Sequence, residues 1–238
     1  MSKDASLCAL GAIDRRAPGP LKESPSQTAG PYVHIGLAPG AAGIANAGLG
    51  GTSPPGPSMR GEEAAGHSPR GETITLLGTI RDGTGALVRD ALIECWQADA
   101  EGRFAGTGGA DPAFSGFGRS ACDAETGEWR FETIRPGRVP WTDGRMQAPH
   151  VSLWIVARGI NIGLHTRLYF EGNPANDDDP LLNAIQPRER TQTMMATRDD
   201  DGRGADDEGS GTVAAVWHLD IRLQRGPSGE PETVFLDI

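Results

Sequence analysis

Apolar and polar positions alternate with a period of two over much of this chain. From Leu87 to Trp96, Ala91, Ile93 and Cys95 fall on one side, and Leu92, Glu94 and Trp96 fall on the other, the pattern of a half-buried strand. Val151, Leu153 and Ile155 mark one face of another strand, with Trp154 and Val156 on its reverse. Ile74–Ile80, Glu128–Ile134, Leu168–Phe170, Val216–Leu223 and Thr233–Leu236 complete the predicted strands. Asp82-Gly83-Thr84-Gly85 is a hairpin-type turn signal, and Pro136-Gly137 stops the Glu128–Ile134 strand. Two short helices are predicted: Pro180–Ile185, behind an Asn/Asp run suited to an N-cap, and Arg188–Ala196. Short strands with turns between them indicate an all-β chain, a β-sandwich with long loops and one or two short helices.

Composition divides the 238 residues further. Residues 1–22 lack apolar periodicity and read as a flexible N-terminal leader. Residues 23–238 then form a single sandwich domain, interrupted by a Gly/Ala/Pro-rich insertion at 36–70 and an acidic, Gly-rich one at 199–212. Hydrophobic residues make up 37%, which still suffices for a core of sandwich size despite 34 Gly and 18 Pro. No apolar run reaches membrane-spanning length, and Met1-Ser2-Lys3-Asp4 opens nothing like a secretory leader, so a cytoplasmic protein without membrane contact is expected. Cys8, Cys95 and Cys122 are odd in number, lack a CxxC spacing and read as reduced thiols, Cys95 packed within a strand. A formal charge of −10 argues against a nucleic-acid partner.

Gly78, Ile80, Gly85, Val88, Ile93, Glu94, Gly102 and Phe104 fall at the intervals of the intradiol ring-cleavage dioxygenase pattern. Further blocks carry the same resemblance: Thr28–Leu37, Trp96–Ala100, Ala157–Ile162, Leu164–Phe170 and Glu232–Phe235. The chain resembles that family from about residue 23 to 238 outside the insertions, and in particular the non-iron chain of its two-chain members. The resemblance implies an intradiol-type sandwich that pairs with a related, iron-bearing beta subunit. It also implies an activity of the complex: opening 3,4-dihydroxybenzoate (protocatechuate), a catechol, with O2 to give 3-carboxy-cis,cis-muconate.

The family binds Fe(III) with two Tyr and two His. At the matching positions this chain has Phe104, Val139, His150 and Ser152. Ferric iron is a hard cation that favours phenolate, carboxylate and imidazole. Phe104 keeps the ring and loses the oxygen, Val139 has no donor, and Ser152 offers only a neutral hydroxyl. The expectation is that no catalytic residue and no metal ligand lies in this chain, and that iron is bound by the partner. His150 then reads as a hydrogen-bonded histidine in a vestigial pocket. Asp99, Asp123 and His165 are the residues that would have to supply substitute ligands.

The resemblance assigns a different role to Thr28, Gly30, Pro31 and Arg158, which would line the substrate pocket. Arg158 suits a carboxylate, Gly30 permits close approach of main chain, and Pro31 stiffens the segment. Read without the resemblance, Gly30-Pro31 is an ordinary turn dipeptide and Arg158 a surface residue before a turn glycine. His34 is expected to satisfy a structural hydrogen bond and Trp141 to be a core aromatic. His165 and Arg167 alternate along a strand and face either a partner or solvent, and His67 carries no argument. Two other readings remain open: a transthyretin-like binding module without chemistry, and a homo-oligomeric dioxygenase with an altered metal site.

Overall fold

The computed structural model describes residues 28–39, 68–199 and 214–237. The expected leader and most of both insertions, with Cys8 and His67, lie outside the described residues. Nine strands are present among the described residues: β1 Thr73–Arg81, β2 Leu92–Trp96, β3 Phe117–Ala121, β4 Glu128–Ile134, β5 His150–Val156, β6 Leu164–Phe170, β7 Met195–Asp199, β8 Ala215–His218 and β9 Ile221–Arg222. Their order is β3-β2-β5-β6-β7-β8-β1-β4, with β9 paired to β1. The ends of that order meet, because Arg130 N in β4 donates to the Ser120 hydroxyl in β3 at 3.3 Å. The all-β expectation holds, and the sheet comes close to closing on itself.

The core lies between the two groups of strands. Ile74, Leu76, Trp129 and Phe131 from β1 and β4 pack in one cluster with Ile93, Cys95, Leu153 and Ile155 from β2 and β5. Each fully buried side chain of this size contributes roughly 1.5–3 kcal/mol. The alternation of Ala91, Ile93 and Cys95 is thus observed, although Leu92 on the reverse face is buried too. Cys95 and Cys122 are free, and burial raises both thiols, Cys122 to about 12.

Several elements depart from the expected boundaries. The predicted Val216–Leu223 strand is broken into β8 and β9 at Leu219-Asp220. There the Leu219 carbonyl presses against Gly78, where a Cβ would stand 1.9 Å from its oxygen. Asp220 Oδ1 meanwhile accepts from both the Thr79 amide and hydroxyl, at 2.9 and 2.7 Å. Strand β3 shows no hydrophobic period because the residues it turns inward, Gly118 and Ser120, are small. Arg188–Met194 is a 3-10 helix that passes directly into β7. Leu87 makes only an isolated bridge to Arg81, so β2 begins later than expected. Trp141 is half-buried and stands outside the core clusters.

Two short helices are anchored by polar contacts at their ends. Val33–Leu37 is helical after a turn in which Val33 N donates to Gly30 O at 3.1 Å. Its last carbonyl, Leu37 O, accepts from Arg119 at 3.1 Å, while the same guanidinium donates through Nε to Glu94 at 2.8 Å. The predicted Pro180–Ile185 helix is observed at Pro180–Ala184, capped by Asp179, whose Oδ1 accepts from Leu181 N and Leu182 N at 2.9 Å each.

Candidate functional site

The four positions matched to metal ligands gather beside the outer face of β5. Val151, Leu153 and Ile155 point into the core, so strand alternation turns His150, Ser152 and Trp154 outward. Ser152 lies between Trp96 of β2 and Arg167 of β6 in register, and His150 lies opposite Tyr169. Phe104 stacks parallel on Trp96, with centroids 6.1 Å apart and planes 1° from parallel.

The loops bring the rest. Asp99 Oδ1 accepts from Glu101 N and Arg103 N at 3.0 and 2.9 Å, which curls the chain just before Phe104. Gly102, at φ +78°, packs so tightly that a Cβ would stand 1.9 Å from Arg138 O. That contact locks the Phe104 loop to the segment carrying Val139. Val139 O in turn accepts from Gln147 N at 2.8 Å, folding residues 139–147 back toward His150.

The electrostatics of this face are set by burial. His150 Nδ1 donates to Ala148 O at 2.8 Å, which leaves Nε2 as the lone-pair nitrogen of the neutral ring. Desolvation lowers its pKa to about 4, helped by the nearby Arg167 charge and opposed by the Ala148 bond. Burial likewise pushes the Tyr169 phenol well up. Asp179 Oδ2 accepts from Ala148 N at 2.7 Å, and Tyr169 Oη reaches Asp179 Oδ1 at 3.4 Å.

These residues do not fit ferric iron. One imidazole nitrogen and one neutral hydroxyl are the donors at four positions, and a single imidazole holds a metal poorly against water. The candidate substitutes are committed elsewhere. The Asp99 carboxylate serves backbone amides, including Asp111 N at 2.9 Å. Asp123 Oδ1 caps its own turn through Thr126 N and Glu125 N at 2.7 and 2.9 Å. His165 pairs with Trp154 farther along the sheet.

The residues assigned to a substrate pocket form a second, separate group. Thr28 Oγ1 accepts from Gly159 N at 2.8 Å, so the N-terminal segment is fastened to the turn that carries Arg158. Gly159 takes φ +82° there, and Ile160 N closes the turn on Ala157 O at 3.2 Å. Thr28, Gly30, Pro31 and Arg158 are all exposed, and a Cβ on Gly30 would meet nothing within 4 Å among the described residues. Arg158 Nε stands 3.0 Å from Asp90 Oδ2.

The two groups sit at opposite ends of β5. His150 opens that strand, whereas Arg158 follows its last residue, Val156. At about 3.3 Å per residue, Ser152 stands roughly 13 Å from Val156, and Arg158 lies two residues beyond that end. Sequence reasoning assigned no site role to Arg167, Asp90 or Gln147. Alternation with Tyr169 was the available signal for Arg167, but the pairing of β6 with β5 is not written in either strand. His34 differs from expectation: its Nδ1 is buried without a hydrogen-bond partner among the described residues.

The dioxygenase family model matches residues 57–224. The fold agrees: catechol 1,2-dioxygenase from Pseudomonas arvilla C-1 superposes with a TM-score of 0.53 at 22% identity, over 86% of this chain and 74% of that one. The chain therefore belongs to the intradiol dioxygenase family. Within it, the protocatechuate 3,4-dioxygenase alpha chain of Pseudomonas putida is 43% identical over 219 residues, covering 91% of this chain and 97% of that protein. A protocatechuate 3,4-dioxygenase beta chain from Burkholderia cepacia is 37% identical over 133 residues, 53% of this chain and 56% of that one. Among the described residues no helix is long and apolar enough to cross a membrane.

Proposed function

We propose that this chain is the alpha subunit of a protocatechuate 3,4-dioxygenase, with Fe(III) held by a beta subunit that carries both Tyr and both His. The complex would open 3,4-dihydroxybenzoate with O2 to 3-carboxy-cis,cis-muconate, in the cytoplasm. The observation that carries the reading is the separation along β5. Arg158 and Thr28 stand at the end of the strand away from His150 and Ser152, so they cannot line this chain's own degenerate site. They suit a pocket completed by another chain, and the match to an alpha chain over nearly its whole length supports that arrangement.

In this reading the chain supplies wall and charge. Thr28 holds the Gly159 turn, and Pro31 fixes the segment whose exposed Tyr32 and neighbouring backbone meet the partner. The free end of the Arg158 guanidinium faces the substrate carboxylate, positioned from behind by Asp90. Iron chemistry belongs to the partner chain.

Co-expression with a beta chain bearing the intact ligand set tests this directly. One iron per alpha–beta pair and cleavage of protocatechuate are expected, with neither found for this chain alone. Stoichiometric ferric iron and catechol cleavage by the single chain would overturn it.

A further inference from the structure

We propose that the guanidinium of Arg167 occupies the cation's place on the outer face of β5, so that this site rejects metal ions by charge as well as by its missing donors. The inference rests on the reading that this chain holds no iron, and it deepens that reading by naming the residue that keeps the site closed.

Three observations point the same way. Register places Arg167 directly opposite Ser152, one residue across the ladder from a ligand position and on the face shared by His150 and Tyr169. Its Nη1 donates to Gln147 Oε1 at 2.7 Å and to Tyr169 Oη at 3.2 Å, which draws the charged head toward the His150 end of the sheet. Both of those partners are neutral, and Nε is buried without a hydrogen bond among the described residues. The nearby Asp179 carboxylate is already engaged by the Leu181, Leu182 and Ala148 amides and by the Tyr169 hydroxyl. Among the described residues the guanidinium charge therefore has no carboxylate bound to it where a metal would need electron pairs. A permanent cation beside a site repels a second cation strongly in partly desolvated surroundings, and restoring donors alone does not remove it.

The test rebuilds a minimal site in the full chain. Ser152→His adds an imidazole two residues from His150 on the same face, and it is made with and without Arg167→Gln. Zn(II) binding to each folded protein is read by calorimetry at fixed salt, with the unaltered chain and Arg167→Gln alone as controls. Circular dichroism confirms that each variant is folded. The expected result is at least tenfold tighter Zn(II) binding in the double variant than in Ser152→His, with that difference shrinking as salt rises. Equal affinity in both backgrounds, or no binding in either, overturns the proposal. Should Ser152→His or the double variant fail to fold, Arg167→Gln alone against the unaltered chain decides, through weak Co(II) binding to His150 followed by the histidine resonance. A gain on removing the charge supports the inference, and no gain overturns it. The underlying reading fails separately, if the unaltered chain purifies with stoichiometric ferric iron.

Discussion

Arg158 and Asp90 form an ion pair in which the two partners are unequally placed: the arginine side chain is 71% exposed and the aspartate 14%, with Nε and Oδ2 at 3.0 Å. Among the described residues neither Asp90 oxygen has a hydrogen bond, and Arg158 is the cation that pairs with this nearly buried carboxylate. The contact uses Nε, and the arginine side chain remains largely exposed among the described residues. In the complex, Arg158→Ala is expected to weaken protocatechuate binding about tenfold more than binding of catechol, which lacks the carboxylate. Equal losses for the two substrates in steady-state assays would remove the carboxylate role. The same substitution should cost the folded chain about 1 kcal/mol in urea unfolding, between the limits for exposed and buried pairs.

Asp179 joins two parts of the chain that no local rule connects. One oxygen caps the Pro180–Ala184 helix and the other accepts from Ala148 N, two residues before His150, at 2.7 Å. The residue is fully buried. Asp179→Ala is expected to destabilise by about 3 kcal/mol, since a cap and buried amides lose their acceptor together. Chemical denaturation measures this, and a loss below about 1 kcal/mol would show that water replaces the carboxylate.

Gly78 admits the Leu219 carbonyl so closely that a Cβ would lie 1.9 Å from it. The obstructing atoms are backbone, which leaves little room for relaxation. Gly78→Ala should destabilise by about 3 kcal/mol or more, read as a fall in melting temperature or in soluble yield. An unchanged melting curve would mean that the β8–β9 break can shift at little cost.

His150 gives the chain a defined acid sensitivity. Its folded pKa is lowered to about 4, chiefly by desolvation, with Arg167 adding to the shift and the Ala148 bond and Asp179 opposing it. The unfolded chain, with an ordinary histidine near 6.5, binds the proton first as pH falls. Stability is therefore fully present above about pH 6.5 and is lost as pH drops toward about 4, by roughly 3 kcal/mol across that window. Unfolding free energies of the chain and of His150→Gln, compared at about pH 7 and about pH 4.5, should converge as the pH falls. Parallel curves would mean that the ring stays solvated in the folded protein.

The strands whose alternation is written in hydrophobic residues are legible from spacing alone. Ala91, Ile93 and Cys95, and likewise Val151, Leu153 and Ile155, face the core as their spacing implies. Strand β3 escapes that reading because Gly118 and Ser120 carry no hydrophobic signal inward. The break between β8 and β9 escapes it because the contacts that fix the break are distant, Thr79 and Asp220 lying 141 residues apart along the chain. The donor count at the matched positions is read from residue identity alone: Phe104, Val139 and Ser152 lack the phenolate and imidazole atoms that a hard trivalent cation favours.

Residue identity and period thus determined the fold class, the family and the donor deficit, since each depends on which atoms a side chain has and on its spacing from near neighbours. Only the tertiary structure decided that Arg167 stands against Ser152, that Asp90 backs Arg158, and that the two groups of site residues lie at opposite ends of β5. Those facts depend on which strands pair and in what register, which is settled by packing between segments far apart in sequence.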